Sequence, residues 1–398
     1  MNFIANPISP AYLQESLLRR VEAAAAVALE NARDVDARAR FPIEAMDMLR
    51  AQRLLGVQVP RELGGEGAAI TDVAELCYTL GRACASTAMI FAMHQTKVAC
   101  IVEHGLGSRW HADILRRLVR EQLLFASSTT EGMAGGNVRS SAGAIQYDGA
   151  RISLTRDASV ISYGAEADGV VTTARRAEDA APSDQVLAVF MKEDYQLQPT
   201  ASWDTLGMRG TCSRGFNLQA AGEAGQILPV PYERIHAQTM TPVAHLLWSS
   251  VWAGIAAAAV QKAEIFVRRA MRGSNGQSPP GGTHLTKAKS SLRLLRNMIS
   301  DTLGRYERTH ADERLSASLD YQAALTLTKV EASELAVATV MSAYRTCGLA
   351  GYRNDGDVSI GLHLRDVLSS PLMINNDRIL ANMSNILVMS GVPAALRD

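Results

Sequence analysis

The chain has 398 residues, 47% hydrophobic and 20% charged, enough to build an extensive core shared by two or three domains. Forty basic residues balance forty acidic ones, and no cluster of Lys and Arg interleaves with aromatics, which argues against nucleic acid as a partner. The five cysteines, Cys77, Cys84, Cys100, Cys212 and Cys347, lack Cys-x-x-Cys spacing, and the first three sit in apolar, alanine-rich surroundings typical of buried thiols, which fits a reduced, cytoplasmic setting.

The first ten residues meet prolines before an apolar segment can build, and a charged stretch follows, so no secretion signal is expected. From Pro10 to about Arg120 the pattern is helical, with alanine-rich amphipathic runs over Leu13–Ala32 and Ala68–Cys100 broken by Pro42, Pro60 and Gly64-Gly65. Residues 1–120 are therefore read as a helical N-terminal domain. Between Leu123 and Pro231 the period changes: Val170–Thr173, Val186–Val189 and Phe216–Leu218 are short β-prone runs between Gly, Asp and Ser clusters. A small antiparallel β-barrel or sandwich is predicted over 121–235.

Long helical patterns return over 236–398, interrupted by Gly273–Gly282, whose Ser278-Pro279-Pro280-Gly281-Gly282 breaks a helix. Met240–Val260 has the length of a membrane span. His245, Ser249 and Ser250 interrupt it and no basic flank follows until Lys262, so it is read as a buried core helix, with no membrane partner. No 20–50-residue repeat is found, and the eight histidines form no ligand cluster at helical spacing, so no metal is expected.

Trp203–Ser213 reads Trp-Asp-Thr-Leu-Gly-Met-Arg-Gly-Thr-Cys-Ser and resembles the Leu-Gly-Met-Arg-Gly-Thr-x-Ser signature of the acyl-CoA dehydrogenases. Phe41-Pro42, Leu55-Gly56 and Val59–Gly67 resemble that family's entry helix and Pro-x-Glu-x-Gly-Gly turn. The resemblance spans nearly the whole chain in family order. It implies an N-terminal helical domain, a central β-domain and a C-terminal four-helix bundle, with FAD between the last two. It also implies a homodimer or homotetramer, because the family completes its FAD site across the bundle interface.

Candidate site residues follow from the same resemblance. Thr129 to Val138 resembles the family's Thr-Glu-Pro-x-x-Gly-Ser-Asp loop, so Thr129 and Thr130, with Gly135 and Gly136, would donate to the flavin pyrimidine edge. Small donors there favour hydride acceptance, because negative charge accumulates near N1 and O2 on reduction. Val160 to Asp168 resembles Trp-Ile-Thr-Asn-x-x-x-Ala-Asp, placing Ile161 and Ser162 against the flavin, Ser162 at N5, with Val160 replacing the covering tryptophan. Arg345 to Tyr352 resembles the Gln-x-x-Gly-Gly-x-Gly-Phe/Tyr turn, in which Gly348 and Gly351 let the backbone approach the dinucleotide. Arg345 replaces the glutamine and Leu349 the second glycine. Arg365-Asp366 matches a family pair whose expected role is a helix-supporting ion pair.

The departures bear on mechanism. The family's glutamate base, which must reach the substrate α-carbon, falls on Ile374, followed by Asn375-Asn376 in place of Gly-Thr; Asn376 is the cofactor contact left there. The alternative base position falls near Trp248, beside Ser249 and Ser250, again with no carboxylate. Asp377 is the nearest carboxylate in sequence and the substitute candidate. Arg272-Gly273-Ser274-Asn275-Gly276 lacks the Arg-x-x-Phe-Gly that reaches FAD across the interface. The family also holds flavin-dependent monooxygenases without the base, in which a histidine of the N-terminal helices and a strand serine serve the oxygen reaction. His94 and Ser162 fall at those places, although a lone histidine on an apolar helix is commonly a core residue.

Three readings follow. The first is an FAD enzyme that oxidises an acyl thioester, on CoA or a carrier protein, passing hydride to flavin N5 and electrons to an acceptor. The second is a monooxygenase on the same scaffold, using O2. The third is a non-catalytic, dehydrogenase-like binding protein, motivated by the eroded flavin contacts.

Overall fold

A computed structural model describes residues 10–131 and 139–388. Five helices come first: α1 (Pro10–Arg38), α2 (Ile43–Ala51), α3 (Ile70–Ala83), α4 (Ala85–Gly105) and α5 (Arg109–Glu121). In α1 the buried positions Leu17, Val21, Ala24, Ala28, Ala32 and Val35 recur every three or four residues, one stripe facing the core. The run read as continuous over Ala68–Cys100 is two helices. Cys84 leaves the helical region, at φ −148° and ψ 115°, and the chain turns there so that α4 can run through the centre of the molecule.

The β-region comprises β1 (Phe125–Ser128), β2 (Gln146–Asp148), β3 (Arg151–Ile161), β4 (Gly169–Arg175), β5 (Gln185–Met191), β6 (Tyr195–Ala201) and β7 (Arg214–Glu223). It forms two sheets, ordered β1-β4-β5 and β2-β3-β7-β6. The second is antiparallel throughout, as the sequence predicts. The first is mixed, because β1 runs parallel to β4 with Phe125 opposite Gly169. A parallel pair needs a long crossover, supplied here by the intervening β2 and β3. A bulge between Ala158 and Ile161 interrupts the pairing of β3 with β7; bulges bend a strand and re-aim the residues that follow.

The C-terminal part comprises α6 (Tyr232–Ile235), a π-helical turn over His236–Met240, α7 (Thr241–Gly273), α8 (Gly282–Thr309), α9 (Glu313–Ser316), α10 (Leu319–Cys347), α11 (Leu349–Tyr352), α12 (Gly361–Val367) and α13 (Asn376–Leu387). Long α7, α8 and α10 pack on one another and α13 closes against α10. The stretch Tyr232–Gly273 is long and apolar enough to cross a membrane, yet 94% of its most apolar window is buried inside the protein, in keeping with a core helix. Fully burying each large apolar side chain contributes roughly 1.5–3 kcal/mol, and Trp252, Leu246, Leu247, Val251 and Ile255 are all at 0% exposure. Helix α3 crosses α7 closely at Gly81 and Gly254: a Cβ at Gly81 would sit 2.6 Å from the Val251 carbonyl, and one at Gly254 would overlap the Tyr78 carbonyl. One core thereby joins the N-terminal helices to the bundle.

Candidate functional site

Strand β1 ends at Ser128, and Glu131 bridges back to Ala158 of β3, so Thr129 and Thr130 lie beside the bulged end of that strand. Both are half-buried. Ser128 Oγ is fully buried and has no hydrogen-bond partner, an uncommon state for a hydroxyl. The Tyr163 hydroxyl donates to the Phe125 carbonyl at 3.0 Å, pinning the turn after β3 onto β1. The predicted Gly135 and Gly136 fall outside the described residues.

Ser162 follows the bulge. Its hydroxyl is 2.8 Å from Ser213 Oγ, which is 2.7 Å from Thr211 Oγ1, which in turn reaches the Met208 carbonyl at 2.8 Å. Thr211 and Ser213 are buried, whereas Ser162 is half-buried, so the chain of hydroxyls runs from inside the Leu206–Ser213 turn towards the candidate flavin face. Met208 O also accepts from the Trp203 indole and the Thr211 amide, each at 3.1 Å. Ser213 donates in its bond to Ser162, which leaves the Ser162 proton to donate to a ligand. Ile161 is buried beneath Ser162 and offers backbone rather than side chain to a ligand. Val160, at 36% exposure, puts an aliphatic side chain where the resemblance has a covering tryptophan.

His94 is not part of an open site. Its Nδ1 accepts from the Phe125 amide at 3.0 Å, which leaves Nε2–H to donate to the Leu55 carbonyl at 2.9 Å. Burial pushes its pKa down to about 4, so it is a neutral link between α4, β1 and the loop after α2. The proposed catalytic pairing of His94 with Ser162 is thus replaced by a structural role, because both ring nitrogens are committed to backbone. Its neighbour Gln95 is similarly used, donating to Leu54 O at 3.0 Å.

Neither residue named for the base stands as a buried carboxylate. Ile374 is half-buried and sits at φ +52°, a left-handed conformation that is costly for a β-branched residue. Asp377 is exposed in the first turn of α13, where the Asn375 side chain caps its amide at 2.9 Å; it is a helix-start acid, not a buried base. Asn376 is also redirected. Its oxygen accepts from Lys329 Nζ at 2.7 Å and its nitrogen donates to Ser333 Oγ and Glu334 Oε1 at 2.9 and 2.8 Å, so every side-chain atom is spent joining α13 to α10. At the alternative base position, Trp248 Nε1 and Ser249 Oγ are buried without partners, as is Trp252 Nε1 one turn on.

Arg345 and Gly348 line an open depression of about 310 Å³ with Tyr344, Leu349 and Tyr352. Gly348 has φ +51° and open space where a Cβ would stand, so its backbone is accessible to a ligand. Gly351 has a different reason: a Cβ there would press on Cys347 Cβ at 2.6 Å, which makes it a packing residue. Leu349 and Tyr352 are 75% and 68% exposed.

Two features escaped sequence reasoning. Thr211 and Ser213 were legible as motif residues, but nothing in their spacing says that they back Ser162. Lys329 carried no signal, since an isolated lysine in a helix ordinarily faces water.

The donor set fits a flavin's polar edge: half-buried hydroxyls at Thr129, Thr130 and Ser162 with an orphaned one at Ser128. The comparisons agree with that chemistry. Residues 13–119 match the model of the acyl-CoA dehydrogenase N-terminal domain. The chain is 28% identical over 327 residues to an L-evernosamine nitrososynthase of Micromonospora sp., covering 78% of this chain and 75% of the relative. It is 25% identical over 334 residues to a cyclohex-1-ene-1-carbonyl-CoA dehydrogenase of Geobacter metallireducens, covering 82% and 84%. Its fold matches that of the dibenzothiophene monooxygenase TdsC of Paenibacillus sp. A11-2, with a TM-score of 0.78 at 18% identity over 95% of this chain and 98% of that one. The chain thus carries an acyl-CoA dehydrogenase N-terminal domain over residues 13–119 and is similar over most of its length to enzymes of that fold, with Ile374 and Trp248 where the resemblance places the base.

Proposed function

We propose that the protein is a flavin-dependent monooxygenase built on the acyl-CoA dehydrogenase scaffold. The observation that carries this reading is the double loss of the base: Ile374 at one family position and Trp248 at the other, with Asp377 turned to solvent. An isoleucine accepts no proton, so α,β-oxidation of an acyl thioester has no group to take the α-hydrogen there. The likeness to a nitrososynthase and to the dibenzothiophene monooxygenase supports the same direction.

A flavin bound against Thr129, Thr130, Ile161 and Ser162 would supply the electron transfer to oxygen. Ser162 accepts from Ser213 and so presents its own hydroxyl proton as a donor to the flavin. Trp248 Nε1 and Ser249 Oγ, buried without partners, are donors left for a substrate that carries acceptor atoms. The Arg345–Gly348 depression supports FAD, whose adenosine half it would hold, although TdsC has been solved with FMN. The exposed Leu349 and Tyr352 beside it support a homo-oligomer that covers them, and five free, buried thiols fit the reduced cytoplasm.

The test is anaerobic. Short- and medium-chain acyl-CoA thioesters are mixed with the oxidised holoenzyme and the flavin absorbance is followed. The oxygenase reading predicts no bleaching by any of them; rapid stoichiometric bleaching would establish thioester oxidation instead.

A further inference from the structure

Lys97 lies on α4 at 4% exposure, and among the described residues the acceptor within reach of its ammonium is a sulfur, Met240 Sδ at 3.5 Å. The Tyr232 hydroxyl donates to the same sulfur at 3.4 Å. The Tyr232 ring stands 5.6 Å from that of His236, and both Met240 and His236 belong to the π-helical turn, a distortion frequent at functional sites. A thioether is a weak acceptor. A buried ammonium satisfied only by sulfur carries an unbalanced charge, which costs several kcal/mol unless an anion joins it.

The same region is cationic from its other side. Arg156 of β3 is 1% exposed; one guanidinium nitrogen serves Thr173 and lies 3.6 Å from Glu131, while Nε and Nη2 have no partner. Arg156 acts electrostatically on Tyr232, and Lys97 on His236, so the two buried cations lie near the Tyr232–His236 ring pair. Burial pushes the His236 pKa down to about 4 and that of Lys97 down to about 8, leaving His236 neutral and Lys97 still largely protonated at pH 7. Glu131 is the carboxylate in contact with this group, and it already accepts from the Ala142 and Gly143 amides at 2.6 and 3.1 Å. Among the described residues, two buried cations, Lys97 and Arg156, thus share this region with one carboxylate, which contacts Arg156 alone.

We infer that Lys97, Tyr232 and Arg156 form a subsite for an oxyanion carried by the substrate, such as a phosphate, sulfonate, sulfinate or carboxylate. The subsite adjoins the flavin face, because Glu131 directly follows Thr129-Thr130. An oxyanion there gains charge-assisted hydrogen bonds from the ammonium and from the two idle guanidinium nitrogens, with the phenol as a neutral donor. The inference does not depend on which oxidation the enzyme performs, and its test reads only binding and thermal stability.

The full-length holoenzyme is titrated with inorganic phosphate, sulfate and acetate at constant ionic strength, with chloride as the reference, while the unfolding temperature is recorded. A saturable rise is expected with at least one oxyanion. Lys97→Met removes the buried charge at nearly constant volume, so it should raise the unfolding temperature without ligand and weaken oxyanion binding at least tenfold. Arg156→Lys, which keeps charge but loses the idle nitrogens, should weaken binding about tenfold and provides the readout if Lys97→Met does not fold. Lys287→Met, at an exposed position, should leave binding unchanged. A linear, unsaturable response shared by wild type and variants, or a Lys97→Met protein that binds as well as wild type, would overturn the inference.

Discussion

The Asp366 carboxylate accepts a hydrogen bond from the Met208 amide at 2.7 Å across 158 residues of sequence. Around it, Arg209 Nε donates to the Asp36 carbonyl at 2.9 Å, and Arg365 pairs with the Asp36 carboxylate. The Leu206–Thr211 turn, α12 and the end of α1 thus form one joint. The most recognisable motif of the chain is chiefly a structural clasp, and hydrogen bonds through Thr211 and Ser213 connect it to Ser162.

Gly207 sits where that joint is tightest, since a Cβ would overlap the Arg365 carbonyl and crowd the Asp366 amide. Gly207→Ala should destabilise by about 1–3 kcal/mol, the usual cost of overpacking, and chemical denaturation should show a lowered midpoint.

Asp366 gives the joint a pH dependence. Burial, reinforced by the nearby Asp36 charge, raises its pKa from 3.8 to about 7. A carboxyl raised in the folded state binds its proton more tightly there than in the unfolded chain. Its contribution is therefore fully present below about pH 4 and is lost as pH rises through about 7. Asp366→Asn keeps the acceptor for Met208 and removes the titration. Its unfolding temperature relative to wild type should climb between pH 5 and pH 8, which a pH series of melting curves measures.

His94→Ala should act on folding. It leaves the Phe125 amide and Leu55 carbonyl unpaired in the core, a loss of about 2–5 kcal/mol with the cavity included. Because the wild-type imidazole is held near a pKa of about 4, no limb of an activity profile between pH 5.5 and 8 should belong to it. A His94→Ala protein of full stability that has lost a limb in this range would contradict the placement.

The order of helices and strands was legible because hydrophobic period changes twice along the chain, at the ends of the β-region. The break at Cys84 was not, since an alanine-rich run keeps its helical pattern through a residue that only packing forces out of helix. Parallel pairing of Phe125 with Gly169 is long-range and leaves no local signature. The hydroxyls of Thr129, Thr130 and Ser162 were identified from motif resemblance, and the structure places them at one end of the β-region. Asn376 and Asp377 were displaced from their expected roles by partners remote in sequence, Lys329 for the first and open solvent for the second. Lys97 gave no signal, because a lysine in an amphipathic run reads as a solvated face until its burial is seen.

Ser162→Ala and Ser213→Ala both interrupt the hydroxyl chain, the first at its end and the second in its middle. Each should shift the flavin reduction potential in the same direction, with Ser162→Ala the larger, while altering stability by no more than about 1 kcal/mol. Spectroelectrochemical titration of the purified holoenzymes reads this. A potential unchanged in both variants would remove Ser162 from the flavin.

Arg345→Ala separates the two flavins. If the Arg345–Gly348 depression receives the adenosine half of FAD, affinity for FAD should fall about tenfold while affinity for FMN stays unchanged. Fluorescence titration of the apoprotein with each flavin measures both.

The most direct measurement is the reaction of the reduced enzyme with oxygen. The holoenzyme is photoreduced anaerobically, mixed with oxygenated buffer in a stopped-flow instrument, and its visible spectrum is recorded through time. The oxygenase account predicts a fast first phase whose spectrum matches neither reduced nor oxidised flavin, followed by slower return of the oxidised bands. A single slow phase that passes directly from the reduced to the oxidised spectrum would contradict it and return the protein to thioester oxidation.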